Sequence, residues 1–263
     1  MKESIQNKTS IAVDLSAVLI AKDEERDLPA ALSSLKGLAN EIIVLVDESS
    51  GDRTSQFVEA AGAKIFFRKF DDFASQKQAA LELANGSWAL SLDADERISD
   101  ELRREIIEKL NAPGDTAAFD IPFQVYFLGR RLRFGSLGAE SHVRLFRRQK
   151  ARFTGAQLHE GVEVQGPVQR LRGAIIHEPY RDLSDYLVKM DSYTTLAAQK
   201  RFAQGRRFHC WHHLLLPWEF FVRAVLKLGF LDGCPGLVWA GLSAFHSWLK
   251  YVKLKQLEQG EQS

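Results

Sequence analysis

Short apolar runs alternate with amphipathic stretches through the first hundred residues. Leu15–Ala21 (LSAVLIA) and Glu41–Val46 (EIIVLV) are almost wholly apolar, as strands covered on both faces of a parallel sheet are. Lys64–Phe67 and Trp88–Leu92 (WALSL) read as two more strands. Helices are expected between and after them at Asp27–Lys36, Thr54–Ala61, Ser75–Ala84 and Asp100–Leu110. In the first of these, Leu28, Ala31, Leu32 and Leu35 share one face, and Pro29 sits near the start, where proline is tolerated. Gly62 and Asn85-Gly86 end the second and third. This βαβαβαβ order implies an α/β fold, a Rossmann-like, mostly parallel sheet flanked by helices.

The pattern changes after Pro113-Gly114. Phe119–Leu128 and His142–Phe146 look like strands joined by the basic Gly129–Arg133, and Arg170–Ile176 like another. Asp185–Phe202 reads as a longer amphipathic helix. Residues 208–251 then hold ten aromatics, with four of the five tryptophans. Leu214, Trp218, Phe221, Val222 and Val225 fall on one helical face, and Trp239, Leu242, Phe245 and Leu249 on another. With Arg223, Lys227, Lys250, Lys253 and Lys255 interleaved, these stripes suit a pair of interfacial helices on an anionic membrane surface. A helical cap packed on the sheet is the plainer alternative. The expected organisation is a flexible tail at 1–13, a catalytic sheet domain at 14–183 and an amphipathic helical appendage at 184–263.

Charge sharpens this division. The 263 residues carry a net charge of only +1. Residues 1–129 hold 14 basic and 23 acidic side chains, whereas 130–263 hold 21 basic and 11 acidic. An acidic half beside a basic, aromatic-rich half suggests metal-assisted chemistry next to a surface for anions. Within 130–152, eight cations (Arg130, Arg131, Arg133, Arg144, Arg147, Arg148, Lys150 and Arg152) face one acid. They read either as a solvated basic face or as a phosphate-recognition surface. No nucleic-acid motif accompanies them, and nucleic acid is not an expected partner. Two cysteines, Cys210 and Cys234, fit free thiols in a reducing compartment. Met1–Asp14 is polar, without the apolar core of a signal peptide, and no run of 18 apolar residues occurs. A cytoplasmic protein with peripheral membrane contact is the expectation.

Ligands of doubly wound sheets bind outside the carboxyl ends of the strands. That rule selects three carboxylate-rich loops, Ala21–Glu25, Asp47–Asp52 and Asp93–Glu96. Neither GxGxxG nor GxxxxGK[ST] is present, which leaves a dinucleotide site and a P-loop unsupported. Asp93-Ala94-Asp95 places two acids one residue apart at a strand end, an arrangement that can hold Mg²⁺ or Mn²⁺ against a phosphate. Asp47, directly after a strand, can accept hydrogen bonds from a nucleobase or ribose, while Asp52 is placed to cap the next helix. The cluster His209-Cys210-Trp211-His212-His213 matches no standard zinc spacing.

LSAVLIAKDEE, IIVLVDESSGDRT and GSWALSLDADE, in that order, resemble family 2 glycosyltransferases, nucleotide-sugar enzymes of the GT-A fold. Gln157-Leu158-His159-Glu160, Ile176-His177, Leu231–Leu237 (LDGCPGL) and Lys250–Leu254 (KYVKL) are similar to the lipopolysaccharide core subgroup, typified by heptose β-1,4-glucosyltransferases. The resemblance implies an inverting, metal-dependent transfer from a nucleotide sugar, with a UDP-sugar favoured, to a lipid-linked glycan. It implies a nucleobase contact for Asp47, a pocket lined by Asp23 and Glu25, and Lys77 near the diphosphate. Asp93 would touch ribose or the metal, and Asp95 would coordinate the metal. An inverting enzyme needs a general base on the acceptor hydroxyl. Glu160 is favoured over Glu140, His159 could orient it or touch the acceptor, and His177 is expected in a buried hydrogen bond near the nucleotide. Glu48-Ser49 departs from the Asp/Ser-Gly that is usual in the family. A polyprenyl-phosphate glycosyltransferase, a nucleotidyltransferase and a non-catalytic membrane adaptor are the competing readings. The acidic loop after the first strand disfavours the nucleotidyltransferase.

Overall fold

The computed structural model describes residues 14–138, 140–154, 161–180 and 182–260. They form two compact units interleaved along the chain. The first takes residues up to Phe123 and Ser141–His177; the second takes Gln124–Glu140 and Glu178 onward.

The first unit opens with β1 (Leu15–Ala21), α1 (Leu28–Leu35), β2 (Glu41–Asp47), α2 (Thr54–Ala60), β3 (Lys64–Arg68), α3 (Phe73–Glu82) and β4 (Trp88–Asp93). The strands lie in the order β3-β2-β1-β4, all parallel. β1 and β4 are buried along nearly their whole length, which explains their continuous apolar sequence. On one side Val18, Ile43 and Leu45 pack against Ala80 and Ala84 at the end of α3. Gly86 permits the close crossing before β4: a Cβ there would lie 2.6 Å from Ser16 Oγ, which instead accepts the Gly86 N–H at 2.8 Å.

The remaining elements make the sheet mixed. They are β5 (Glu96–Ile98), α4 (Asp100–Asn111), β6 (Ala118–Phe127), β7 (Arg130–Arg131), β8 (Ser141–Arg147), β9 (Ala151–Thr154), β10 (Gly161–Val164), β11 (Val168–Arg170) and β12 (Ile175–His177). β8 runs antiparallel between β4 and β6, and β12 pairs antiparallel with β5. The single strand expected over Arg170–Ile176 is therefore two, β11 on β6 and β12 on β5. α4 is capped by Ser99, whose side chain accepts the Leu102 N–H, and it buries Leu102, Ile106 and Leu110.

The second unit is built on α5 (Leu183–Ala203), α6 (Leu215–Phe221) and α7 (Gly233–Gly260). Tyr186, Met190, Thr194 and Ala198 form the buried stripe of α5, four residues apart throughout. Trp239, Leu242, Phe245 and Leu249 of α7 pack onto Phe127, Leu132, Tyr186 and Met190. That second tryptophan-bearing stripe is half-buried against this cluster. His212 is buried, bonded to His209 and stacked on Tyr251 with ring centres 4.0 Å apart. No described helix is long and apolar enough to cross a membrane.

Candidate functional site

Three loops leave the carboxyl ends of β1, β2 and β4, and each carries acids. The first two are laced together. Asp23, in a left-handed conformation (φ 54°), accepts the Gly51 N–H at 2.8 Å, and its own N–H donates to Ser50 Oγ at 3.0 Å. Glu25 accepts from Arg53 Nε at 3.0 Å, while its N–H donates to Asp52 at 2.8 Å. Asp52 also accepts the Thr54 N–H at 2.9 Å, just ahead of α2. These carboxylates shape the loops through hydrogen bonds within the protein.

Asp47 differs from them. It is buried at the end of β2. One of its oxygens accepts the Ser49 N–H and hydroxyl at 2.8 and 2.9 Å; the other lies 3.8 Å from Lys22 Nζ. The Ser49 N–H is the main influence holding its pKa below the ordinary value, against burial and with help from the Ser49 hydroxyl and Lys22.

The end of β4 gathers four charged side chains. Asp93 meets Lys77 Nζ at 2.8 Å and Arg144 Nη2 at 3.0 Å. The same Arg144 nitrogen lies 2.7 Å from Glu96 Oε1, and Glu96 Oε2 accepts the Asp93 N–H at 2.9 Å. Arg144 also stacks over Phe123, 5.4 Å from the ring centre. Burial works against ionised Asp93, but Arg144 and Lys77 outweigh it and hold the carboxyl well below its usual range. Glu96, only 1 % exposed, is shifted the other way, first by burial and then by the charge of Asp93. One residue beyond this cluster, Asp95 Oδ2 lies 3.3 Å from His177 Nε2 on β12. Burial disfavours the imidazolium, yet Asp95, Glu96 and Asp93 prevail and raise its pKa. A cavity of about 440 Å³ opens beside the cluster, lined by Lys77, Asp93, Asp120, His142, Arg144 and Phe153 among others. That is room for a sugar-sized ligand.

The structure thus gathers Lys77 and Asp93 with Arg144 and Glu96, and sets Asp95 against His177. Arg144 is the largest departure from expectation. Read from sequence as part of a basic surface, it is instead buried beneath the acids. Arg147 and Arg148 are likewise used internally, bonding Thr116 O at 2.8 Å and Gly86 O at 3.0 Å. A signal for Arg144 was present: it alternates with Val143 and Leu145 and so shares a strand face with fully buried Phe146. Glu140 lies in the second unit, its N–H bonded to Leu137 O at 3.3 Å. His159 and Glu160 lie outside the described residues. Gly161 and Val162, the next two residues in sequence, line the cavity.

Asp93 and its cations lie at the carboxyl end of β4, where open α/β sheets bind their ligands. Residues 16–164 match glycosyl transferase family 2, more than half of the chain, and the protein belongs to that family. It is a glycosyltransferase. The lipopolysaccharide core biosynthesis glycosyltransferase LpsC of Rhizobium meliloti is 29% identical over 250 residues, covering 92% of both chains. An uncharacterized glycosyltransferase of Rickettsia typhi is 25% identical over 92% of this chain and 87% of its own. Among solved structures, S. aureus TarS residues 1–349 with UDP-GlcNAc aligns at a TM-score of 0.47, 14% identical, over 94% of this chain and 92% of that one.

Proposed function

We propose that this enzyme moves a hexose from a UDP-sugar, UDP-glucose or a close analogue, to a lipopolysaccharide-core or other lipid-linked glycan, inverting the anomeric centre. The supporting observation is the division of labour at the end of β4. Asp93 is neutralised by two cations, whereas Asp95 faces an imidazole. A carboxylate and an imidazole 3.3 Å apart suit a divalent cation that takes few protein ligands and completes its shell with phosphate oxygens and water. No larger group of candidate metal ligands occurs among the described residues. Asp95 and His177 would hold Mg²⁺ or Mn²⁺, which neutralises charge on a diphosphate leaving group.

In this reading Asp47 receives the nucleobase, and Asp23 and Glu25 fix the loops around it. Asp93 contacts the ribose, and Lys77 supplies positive charge to the leaving diphosphate. Arg144 orients Asp93 and keeps it ionised. The acceptor oxygen bonds to the anomeric carbon as the bond to the diphosphate breaks. Glu160 takes the hydroxyl proton, with Glu140 the alternative base. The kinship to a lipopolysaccharide core enzyme supports the acceptor class. A lipid-linked acceptor brings catalysis to the cytoplasmic face of the inner membrane.

Calorimetric titration with UDP, GDP, CMP and ADP, each with and without Mn²⁺, tests the donor site. Metal-dependent binding of UDP that disappears in Asp95→Ala is expected. A folded wild-type protein that binds none of the four would overturn the assignment and favour a non-catalytic adaptor.

A further inference from the structure

The second unit contains a helix that turns an apolar stripe to solvent. A 3₁₀ turn (Cys210–Leu214), α6 and a π-turn (Val222–Leu226) follow one another directly. Leu214, Trp218, Phe221 and Val225 fall on one face, and all four are exposed, by 67, 58, 44 and 45%. Elsewhere on this stretch Ala224 is buried, Arg223 forms a partly exposed pair with Glu219, and His212 is buried in the turn ahead of α6. A surface helix of a soluble domain normally turns its apolar stripe to the core. The exposed apolar run continues through Leu226, Leu228, Phe230 and Leu231. Leu228 is held in the left-handed region (φ 58°), which is costly for a leucine, and nevertheless displays its side chain.

A basic loop is fastened to the end of this stripe. Asp232 accepts the N–H groups of Arg133 and Phe134, each at 2.9 Å. Lys227 Nζ bonds Ser136 Oγ at 2.8 Å, and the Gly135 N–H bonds Lys227 O at 2.9 Å. Arg130, Arg131 and Arg133 are exposed on that loop. Glu219 is paired with Arg223, and Asp232 accepts backbone N–H groups of the loop. The surface therefore joins an apolar stripe to an outward-facing cluster of positive charge.

We infer that this face docks on an anionic lipid bilayer. Trp211, Trp218 and the leucines would enter the boundary between headgroups and acyl chains, with the three arginines on lipid phosphates. The choice of occupant rests on the proposed lipid-linked acceptor; the surface itself does not.

The test is co-sedimentation of the full chain with vesicles of phosphatidylcholine alone or mixed with phosphatidylglycerol. Binding only to the mixed vesicles is expected. It should weaken on the order of tenfold or more in Trp218→Asp/Phe221→Asp and in Arg130→Glu/Arg131→Glu. Unchanged circular dichroism verifies the fold of each variant. If wild type binds and both variants bind equally well, this surface is overturned while membrane attachment stands. If wild type binds no vesicles, the surface is overturned, and the nucleotide titration still judges the donor site separately. A dimer in solution that Trp218→Asp dissociates, without vesicle binding, would make the face a contact between copies and also overturn the inference.

Discussion

The two units treat charge and apolar surface in opposite ways. In the first, cations are drawn inside: Arg144 and Lys77, each with 12% of the side chain exposed, sit against Asp93. In the second, apolar side chains are turned outward, Trp218 and Leu214 among them. Each inversion carries a cost that folding alone does not repay. Burying ions loses hydration, and exposing tryptophan and leucine forfeits the gain from removing them from water. Where a chain departs from the ordinary partition, the departure marks a place where something else is expected to bind.

Breaking the buried side of the contrast has the largest expected effect on stability. Arg144→Met removes the cation shared by Asp93 and fully buried Glu96 and should cost about 3–5 kcal/mol in urea denaturation. A loss below about 1 kcal/mol would mean that the cluster is solvated and that the contrast is false.

Glu41 gives an intermediate case away from the cluster. Its carboxylate accepts from Ser16 Oγ and Lys64 Nζ, both at 2.6 Å, and from the Asn85 N–H. Burial would raise its pKa, but Lys64, Ser16 and Asn85 together bring it down to about 2 from an ordinary 4.5. The folded value is the lower one. The stabilisation is therefore complete above pH 4.5 and is lost as pH falls toward 2. Glu41→Gln should cost about 2–3 kcal/mol at neutral pH, with the gap to wild type closing in acid. A gap that is constant with pH would refute the carboxylate's role.

The exposed side of the contrast predicts the smallest changes. Trp218→Ala should alter unfolding free energy by no more than about 0.5 kcal/mol, since the ring is 58% exposed. Arg223→Met, which removes a partly exposed pair with Glu219, should cost less than about 1 kcal/mol. A large loss from Trp218→Ala would show that the stripe supports its own fold.

How far the sequence reached follows the same division. β1, β2 and β4 were legible almost to the residue because their apolar runs are bounded by polar loops. β5 was not, since three residues, Glu96–Ile98, become a strand only by pairing with β12 far along the chain. The resemblance implies separate roles for Asp93 and Lys77, at the ribose or metal and near the diphosphate; that the two side chains meet at 2.8 Å is visible only in the fold. Arg144 is hidden in a basic run, and only the alternation along β8, which sets it on the face of buried Phe146, separates it from the outward arginines. The two tryptophan stripes looked alike in sequence, yet Trp239 is packed in a core cluster and Trp218 is not. Only tertiary packing distinguishes them.

The most direct measurement is UDP affinity in the presence of Mn²⁺ for wild type, Asp95→Ala and His177→Ala. If these two side chains hold the metal, each variant should lose on the order of tenfold or more in Mn²⁺-dependent affinity and keep whatever binding wild type shows without metal. Equal Mn²⁺-dependent affinity in His177→Ala and wild type would contradict the assignment and return the metal to Asp93 and Asp95 alone.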